Sequence, residues 1–284
     1  MPAPHSPSVR RRRLSSELRR LRGAKALTLV EAAKRVGLGK SNLSKIESAE
    51  SKTVPAATLD KLLNLYGVTD GDVRESMHEL ARLAGERGWW AKYSGMLPTN
   101  LADFEVEASE FRTFEAQVIP GLLQVADYSE AVINADKTRD AEEIAKRVAA
   151  RLKRQEILNR VDPPTYSAVL DEAALRRMVG SAHVMRAQLR HLTHMSARHN
   201  VHIHVLPFSA GAHQATEGSF VIMDFADPRD SSIAYVETSS SSLYMEEERE
   251  LEQFNAAFRA VRAVALDEEQ SLSSIEDIIK SLEE

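Results

Sequence analysis

The chain contains no cysteine among its 284 residues. It therefore forms no disulfide or thiolate metal site, and it lacks a cysteine nucleophile. Long apolar runs are also missing. No segment approaches the roughly 18 apolar residues that span a bilayer, and the opening MPAPHSPSVRRRR lacks the apolar core of a signal peptide. We expect a cytoplasmic protein with no membrane partner.

Charge is distributed unevenly along the chain. Residues 1–52 hold 13 Lys and Arg against four Asp and Glu, a balance of +9. Because the whole chain carries −5, residues 53–284 carry −14. This asymmetry is expected if only the first part meets a polyanion such as DNA. The length favours roughly two domains.

Residues 28–47 read TLVEAAKRVGLGKSNLSKIE. Thr28 is a good N-cap, and the glutamate three residues later completes a capping box that begins a first helix. Gly37 can adopt the positive φ that ends this helix. A second short helix follows, with Leu43 and Ile46 on its buried side. The segment predicts a helix-turn-helix.

The solvent side of the second helix carries donors and acceptors suited to base edges and phosphates. These residues are Lys40, Ser41, Asn42, Ser44 and Lys45. We predict that this helix, at residues 39–47, reads double-stranded DNA, with Thr28 and Lys52 as further contacts. A lysine at its head favours guanine or a phosphate.

Four consecutive arginines precede the predicted start of the first helix of the unit at Leu14. They are Arg10, Arg11, Arg12 and Arg13. We interpret them as a flexible arm that follows the DNA backbone or enters a minor groove. A solvated leader is the alternative. Inside this first helix we expect three further arginines, Arg19, Arg20 and Arg22, to face water.

Residues 14–84 resemble the Cro and lambda-repressor type of helix-turn-helix domain, the group called XRE. The resemblance rests on the cap, the turn glycine and the ending LSKIE at 43–47. It implies a five-helix DNA-binding domain. Two positions depart from the family, which commonly has Gln where this chain has Leu29 and Lys40. The operator sequence therefore cannot be borrowed from relatives.

The chain changes character after Ala84. Both tryptophans and a tyrosine, Trp89, Trp90 and Tyr93, lie within five residues. They line a ligand or partner groove, or they belong to the core. Residues 101–114 have aromatic residues near helical spacing and predict a helix. The segment 141–158, AEEIAKRVAARLKRQEIL, predicts another.

The remainder predicts an α+β domain. The segments TYSAVLD, VHIHVLPF, GSFVIMDF and SSIAYVET read as strands, the last two as a hairpin. Helices are predicted at 185–199, 246–265 and 271–283. The apolar stripe of the last helix packs internally or forms a dimer seam. The fold class is mainly α with an α+β C-terminal part, in which a larger domain with a small sheet follows the five-helix domain.

Several elements together resemble the actinobacterial regulators typified by WhiJ. They are the paired tryptophans, PGLLQ at 120–124, ARLKRQ at 150–155, PFSAGAH at 207–213 and the strand start at 218–220. In that family a domain of undefined biochemical role follows the XRE-type domain. The resemblance implies a streptomycete-like host and control of development or secondary metabolism. It also implies a small partner protein encoded nearby, in an antitoxin-like pairing.

Enzyme signatures are weak. The triplet Gly39-Lys40-Ser41 is similar to part of a phosphate-binding loop, but Lys34 stands where the first glycine is required. Five histidines at 191, 194, 199, 202 and 204 suggest zinc, yet no HExxH motif accompanies them. No GxSxG elbow is present. We predict no enzymatic activity, no cofactor and no metal site.

These observations lead to one interpretation. Residues 1–9 form a disordered leader, residues 10–84 the DNA-binding domain, and residues 85–284 a domain for sensing, partner binding and dimerisation. The function is that of a nucleoid-associated transcription regulator acting as a homodimer. One alternative is an antitoxin-like protein whose DNA binding is autoregulatory. The other is a metal-dependent enzyme fused to a DNA reader.

Overall fold

The computed structural model of the chain describes residues 9–85, 89–93, 95–98, 101–228, 230–238 and 241–283. The chain divides into two units. One consists of Met1–Ala91 with Thr99–Phe104, and the other of Lys92–Pro98 with Glu105–Glu284. Across the described residues, no helix is both long and apolar enough to cross a lipid bilayer.

The first unit contains the predicted five-helix arrangement. Its helices are α1 (Val9–Ala24), α2 (Leu29–Val36), α3 (Lys40–Glu47), α4 (Ala56–Leu65) and α5 (Gly71–Gly85). The apolar stripes of these helices meet in one core, which includes Leu18, Leu43 and Leu62. These side chains are fully buried, so hydrophobic burial holds the short helices together.

The interpretation of Arg10, Arg11, Arg12 and Arg13 as a flexible arm is wrong. All four lie within α1 and are half-buried. The sequence prediction began the helix at Leu14, but Val9 is only 3% exposed and extends the apolar stripe by more than a turn. Because arginine is also a good helix former, the helix continues through the run. Contact between these arginines and DNA stays a prediction.

The second unit combines helices with one sheet. The residues of α6 (Leu101–Glu107) are divided between the two units after Phe104. The other elements are β1 (Ala108–Glu115), α7 (Ala126–Ile133), α8 (Ala141–Gln155), β2 (Thr165–Asp171), α9 (Glu172–Arg176), α10 (Ala182–Ser196), β3 (Val201–Leu206), β4 (Phe220–Phe225), β5 (Ile233–Glu237), β6 (Ser242–Met245), α11 (Glu248–Val264) and α12 (Glu268–Ser281). Short 3₁₀ helices occur at Trp89–Tyr93, Gly121–Leu123, Glu156–Asn159 and Phe208–Ala210. The predicted α+β class is confirmed.

The strands form a six-stranded mixed sheet in the order β3-β2-β1-β4-β5-β6. The pairs β1–β2 and β2–β3 are parallel, and helices connect these strands as parallel pairing requires. The pairs β1–β4, β4–β5 and β5–β6 are antiparallel. The hairpin predicted for GSFVIMDF and SSIAYVET is therefore confirmed, whereas the sequence prediction missed β6.

The helix predicted for residues 101–114 is half wrong. The chain is helical only to Glu107 and then enters β1, which pairs with a strand on each side. Phe111 packs against Tyr166 at 5.8 Å between ring centroids, and Phe114 packs against Phe220 at 6.1 Å. A strand buried on both faces shows no alternation of apolar and polar residues. Its phenylalanines consequently imitated helical spacing.

The apolar stripe of α12 packs inside the unit. Ile275, Ile278 and Ile279 are buried, and α12 contacts α10 and β3. Core packing, one of the two alternatives for this stripe, accounts for these side chains. The helix begins with a second capping box, in which Asp267 Oδ1 accepts from the Gln270 N–H at 2.8 Å and the Asp267 N–H donates to Gln270 Oε1 at 3.3 Å.

We predict that Asp267→Ala lowers the free energy of unfolding of the second unit by about 1 kcal/mol, because the first turn of α12 loses its cap. Denaturant titration of the full chain measures the change. Asp277→Ala is the matched control, since Asp277 is exposed and its ion pair with Lys280 lies at the surface. Equal effects of the two substitutions would contradict the assigned cap.

Candidate nucleic-acid interface

The first helix of the motif begins with the predicted capping box. The Glu31 N–H donates to Thr28 Oγ1 at 3.2 Å, and the Thr28 N–H donates to Glu31 Oε2 at 2.9 Å. These hydrogen bonds satisfy N–H groups that the helix leaves unpaired. The bond from the Thr28 backbone also lowers the pKa of the Glu31 carboxyl. The cap prediction is confirmed.

The turn between α2 and α3 depends on a glycine conformation. Gly37 has φ +73° and lies in the left-handed region, and its N–H donates to the carbonyls of Ala33 and Lys34. A side chain with a Cβ is strained there, so glycine is favoured. Gly39 then begins α3 from an extended conformation without a side-chain cap. The turn sets the direction of α3 relative to α2.

The structure separates the two sides of α3 as the sequence predicts. Leu43 and Ile46 are buried at 0% and 6% exposure. The five α3 residues predicted to meet DNA are all exposed, namely Lys40, Ser41, Asn42, Ser44 and Lys45. Side chains with hydrogen-bonding groups and positive charge are thereby gathered on one solvent-facing surface, which we call the α3 face.

A buried ion pair holds the end of α3, and the sequence prediction missed it. Arg22 Nε donates to Glu47 Oε1 at 2.8 Å, and Arg22 Nη2 donates to Glu47 Oε2 at 2.8 Å. Arg22 Nη1 also donates to the Leu27 carbonyl at 2.7 Å. The expectation that Arg22 faces water is wrong, since its side chain is 18% exposed and that of Glu47 5%. The sequence signal was weak because the partners lie 25 residues apart.

Two further bonds from α1 reach the same end of α3. Ser15 Oγ donates to the Ile46 carbonyl at 2.5 Å, and Arg19 donates to the Glu47 carbonyl. The carbonyls at a helix C-terminus otherwise lack partners. Burial, reinforced by the nearby Glu47 carboxylate, raises the pKa of Tyr66 to about 12. Glu47 therefore stands at the centre of a polar cluster that fixes α3 against α1.

The remaining predicted DNA contacts differ in their surroundings. Thr28 is exposed, and its hydroxyl donates to the Glu31 carboxylate at 2.7 Å. Lys52 is exposed and follows α3. It lines a cavity of about 10 Å³ together with Arg11 and Ile46, so the first turn of α1 lies beside this segment. Lys34 and Arg35 on α2 are also exposed, and the site prediction did not include them.

Comparison with protein families agrees with this geometry. Residues 13–77 match the model of a helix-turn-helix domain. Residues 98–277 match a family described as a domain of unknown function, DUF5753. This second match covers more than half of the chain. The protein belongs to the DUF5753 family. No curated protein and no solved structure matches it.

Aromatic residues precede the DUF5753 region. Trp89 and Trp90 are half-buried and meet edge to face at 5.9 Å between ring centroids. Tyr93 lies in the same 3₁₀ helix, and Lys92 Nζ is 4.9 Å from the centroid of its ring. The aromatic side chains pack with near neighbours. Their role in a ligand or partner groove stays a prediction.

Two of the five clustered histidines, His202 and His204, have hydrogen-bond partners within the protein. His202 Nδ1 lies 2.9 Å from Glu268 Oε1, and His204 Nδ1 lies 3.1 Å from the Leu266 carbonyl. Burial, assisted by Arg262, lowers the pKa of His204. Among the residues that the structure describes, no three or more His, Asp or Glu side chains form a group that could hold a metal ion.

We predict that Glu47→Ala lowers the free energy of unfolding of the first unit by about 3 to 5 kcal/mol, because Arg22 is left buried without its counter-ion. Circular dichroism during denaturant titration measures the loss. Glu50→Ala removes a carboxylate that is exposed and bonded to Ser48, so it should change stability by less than about 0.5 kcal/mol. A small effect of Glu47→Ala would show that the ion pair does not hold α3.

Proposed function

We propose that the protein is a sequence-specific transcription regulator that reads an operator through the α3 face. The helix-turn-helix domain makes it a DNA-binding regulator. The exposure of Lys40, Ser41 and Asn42 at the start of α3 is the observation that carries the finer proposal. In helix-turn-helix proteins the N-terminal residues of the second helix contact base edges in the major groove.

Two features of the motif favour phosphate contacts beside base reading. Gly39 provides no side-chain cap to α3, so backbone N–H groups of its first turn lack that partner. Such groups and the helix dipole attract phosphate. Lys45 lies a turn beyond the first residues of α3, where it suits a backbone contact. The +9 balance of residues 1–52 supports the same orientation toward DNA.

We further propose that the protein acts as a homodimer. One recognition helix of eight residues reads only a few base pairs, and two half-sites are needed for useful discrimination. In this proposal residues 10–84 contact DNA, and residues 85–284 provide self-association. The protein then works at the nucleoid, where its operator is.

Regulation through the C-terminal domain completes the proposal. The resemblance of residues 14–84 to XRE regulators, and of most of the chain to WhiJ-like actinobacterial regulators, supports control of development or secondary metabolism. It also supports a small partner protein encoded nearby. Co-purification of the chain with its neighbouring gene product tests whether the two proteins bind. An antitoxin-like protein would also neutralise the activity of its partner, whereas a regulator would change only the occupancy of DNA.

We predict that Lys40→Ala weakens binding to the operator by about 1 to 3 kcal/mol and relaxes the preference at one base pair. Lys45→Ala should weaken binding to all sequences similarly and reduce the salt slope by about 1. DNA titrations at several salt concentrations measure both effects. Lys280→Ala, the same charge change on α12, is the control. Wild-type binding by both α3 variants would mean that α3 does not read DNA.

We predict that residues 1–84 alone bind DNA as a monomer, whereas residues 85–284 alone self-associate. Loss of the link between two half-sites should reduce affinity by a factor of about 10² to 10⁴. Sedimentation and DNA titration of the two fragments measure this. A dimeric, tight-binding N-terminal fragment beside a monomeric C-terminal fragment would place the dimer contact in the DNA-binding domain instead.

A further inference from the structure

Two sequence elements of the DUF5753 region meet at one place. The segment PGLLQ at 120–124 contains the 3₁₀ helix Gly121–Leu123, and RLKRQ at 151–155 ends α8. Gln155 Nε2 donates to the carbonyls of Gly121 at 2.9 Å and Gln124 at 2.7 Å. A Cβ at Gly121 would lie 3.6 Å from Arg151 Nε and 3.7 Å from Arg154 Nη1. Two guanidinium groups therefore lie side by side over this turn.

One of the two guanidinium groups is balanced by a carboxylate. Arg154 Nε donates to Glu105 Oε2 at 2.7 Å, and Arg154 Nη2 donates to Glu105 Oε1 at 2.5 Å. Their side chains are 11% and 5% exposed. Although burial opposes the charge, the Glu105 carboxylate holds the pKa of Arg154 above its usual value. This bidentate pair satisfies both charges.

The other guanidinium group is not balanced. Arg151 Nη1 donates to the neutral amide oxygen of Gln124 at 2.8 Å, and within the described part of the chain it forms no ion pair with a carboxylate. The Ser129 hydroxyl also donates to Gln124 Oε1 at 2.9 Å, and Gln124 Nε2 donates to the Ile119 carbonyl at 2.7 Å. Burial, together with the like charge of Arg154, lowers the pKa of Arg151 to about 10.

Other titratable groups act on Arg151 without a direct ion pair. Burial raises the pKa of Glu115, at the end of β1, to about 7, and Arg151 acts on this carboxyl in the opposite direction. Glu237, at the end of β5, attracts Arg151 but is itself exposed to solvent. Arg147 and Arg139 repel Arg151, although each is itself paired with a carboxylate, Arg147 with Glu143 and Arg139 with Asp136. Among the described residues, Arg151 is therefore a half-buried guanidinium group without a direct carboxylate partner.

Aromatic side chains occupy the neighbouring strands. Tyr235 on β5 and Tyr244 on β6 are directly opposite each other, and their ring centroids are 5.1 Å apart. Burial raises the pKa of both hydroxyls, and Arg154 acts on each of them in the opposite direction. The tyrosine pair consequently lies within electrostatic range of Arg154, and Tyr235 is buried while Tyr244 is half-buried.

We propose that Arg151 anchors a binding site in the DUF5753 region for a small molecule that carries a carboxylate or phosphate group. A guanidinium group presents a planar fork of donors that matches either oxyanion in a bidentate manner. The residue is half-buried and keeps some exposure to solvent. The sensing role of this site rests on the proposed function, because a ligand can regulate DNA binding only if the protein is a regulator.

The charge balance separates this proposal from a structural role. A buried charge without a counter-ion lowers stability, so its removal should not destabilise the protein. Removal of one partner from a buried ion pair does destabilise it, because the other charge is left unpaired. Arg151→Met should therefore leave the ligand-free protein as stable as the wild type or more stable. Gln124 would keep its bonds to Ser129 and Ile119. Arg154→Met, which strands Glu105, should destabilise the protein.

We predict that the full chain binds sodium benzoate or inorganic phosphate saturably, and that Arg151→Met weakens this binding at least tenfold. Calorimetric titration at constant ionic strength measures binding, and a melting curve without ligand measures stability. Arg176→Met is the matched control, because Arg176 pairs with Glu172 on α9 at the surface. Arg151→Lys keeps the charge without the fork and should bind more weakly than the wild type.

The competing outcomes are distinct. Binding of benzoate alone identifies a carboxylate ligand, and binding of phosphate alone identifies a phosphorylated one. The proposal is overturned if neutral benzyl alcohol binds as well as the anions, or if neither anion binds saturably. It is also overturned if Arg151→Met or Arg151→Lys binds as tightly as the wild type. Loss of ligand-free stability in Arg151→Met beyond that of Arg176→Met also overturns it. Because no DNA is present, each result is independent of the test of the α3 face.

Discussion

Eight residues are too few for a helix to persist alone in water, so α3 exists because other parts of the chain hold it. Leu43 and Ile46 bury its inner side. At its far end Glu47 accepts from Arg22, and α1 also bonds the last carbonyls. All of these contacts lie away from the α3 face. The helix is thus fixed without the use of any side chain predicted to meet DNA, so mutation of the interface and mutation of its support are separable.

Buried arginine plays two different roles in this chain, and the neighbouring acids decide which. Arg22 and Arg154 are each held by a bidentate carboxylate and stabilise the packing around them. Such pairs add little compared with apolar residues of equal volume, but they are costly to break. Arg151, one turn from Arg154 on α8, has only a neutral amide partner. A buried charge without a counter-ion lowers stability. An anionic ligand would supply that counter-ion, and this is why we propose one.

Local signals in the sequence predicted local structure well. The Thr28 cap, the Gly37 turn and the exposed side of α3 depend on residues within about one turn of each other, and all were confirmed. The predictions that failed depended on distant partners. The apolar residues of β1 have helical spacing because the strand lies inside the sheet and packs on both faces. Arg22 was predicted to face water because its partner, Glu47, lies far away in the sequence. The proposed site at Arg151 could not be predicted from the sequence either, because only the folded structure shows which side chains contact Arg151.

The candidate DNA site and the candidate ligand site share one physical property. Gly39 begins α3 without a side-chain hydrogen bond, where serine or aspartate would add a cap, and the cost is a few tenths of a kcal/mol. Such a cap would compete with a DNA phosphate for the same N–H groups. Arg151 likewise lacks a carboxylate that would compete with an anionic ligand. At both places the chain gives up local stability, and a bound anion would supply the missing partner. Binding at either site should therefore stabilise the folded chain by an amount that rises with the logarithm of the ligand concentration once this exceeds Kd.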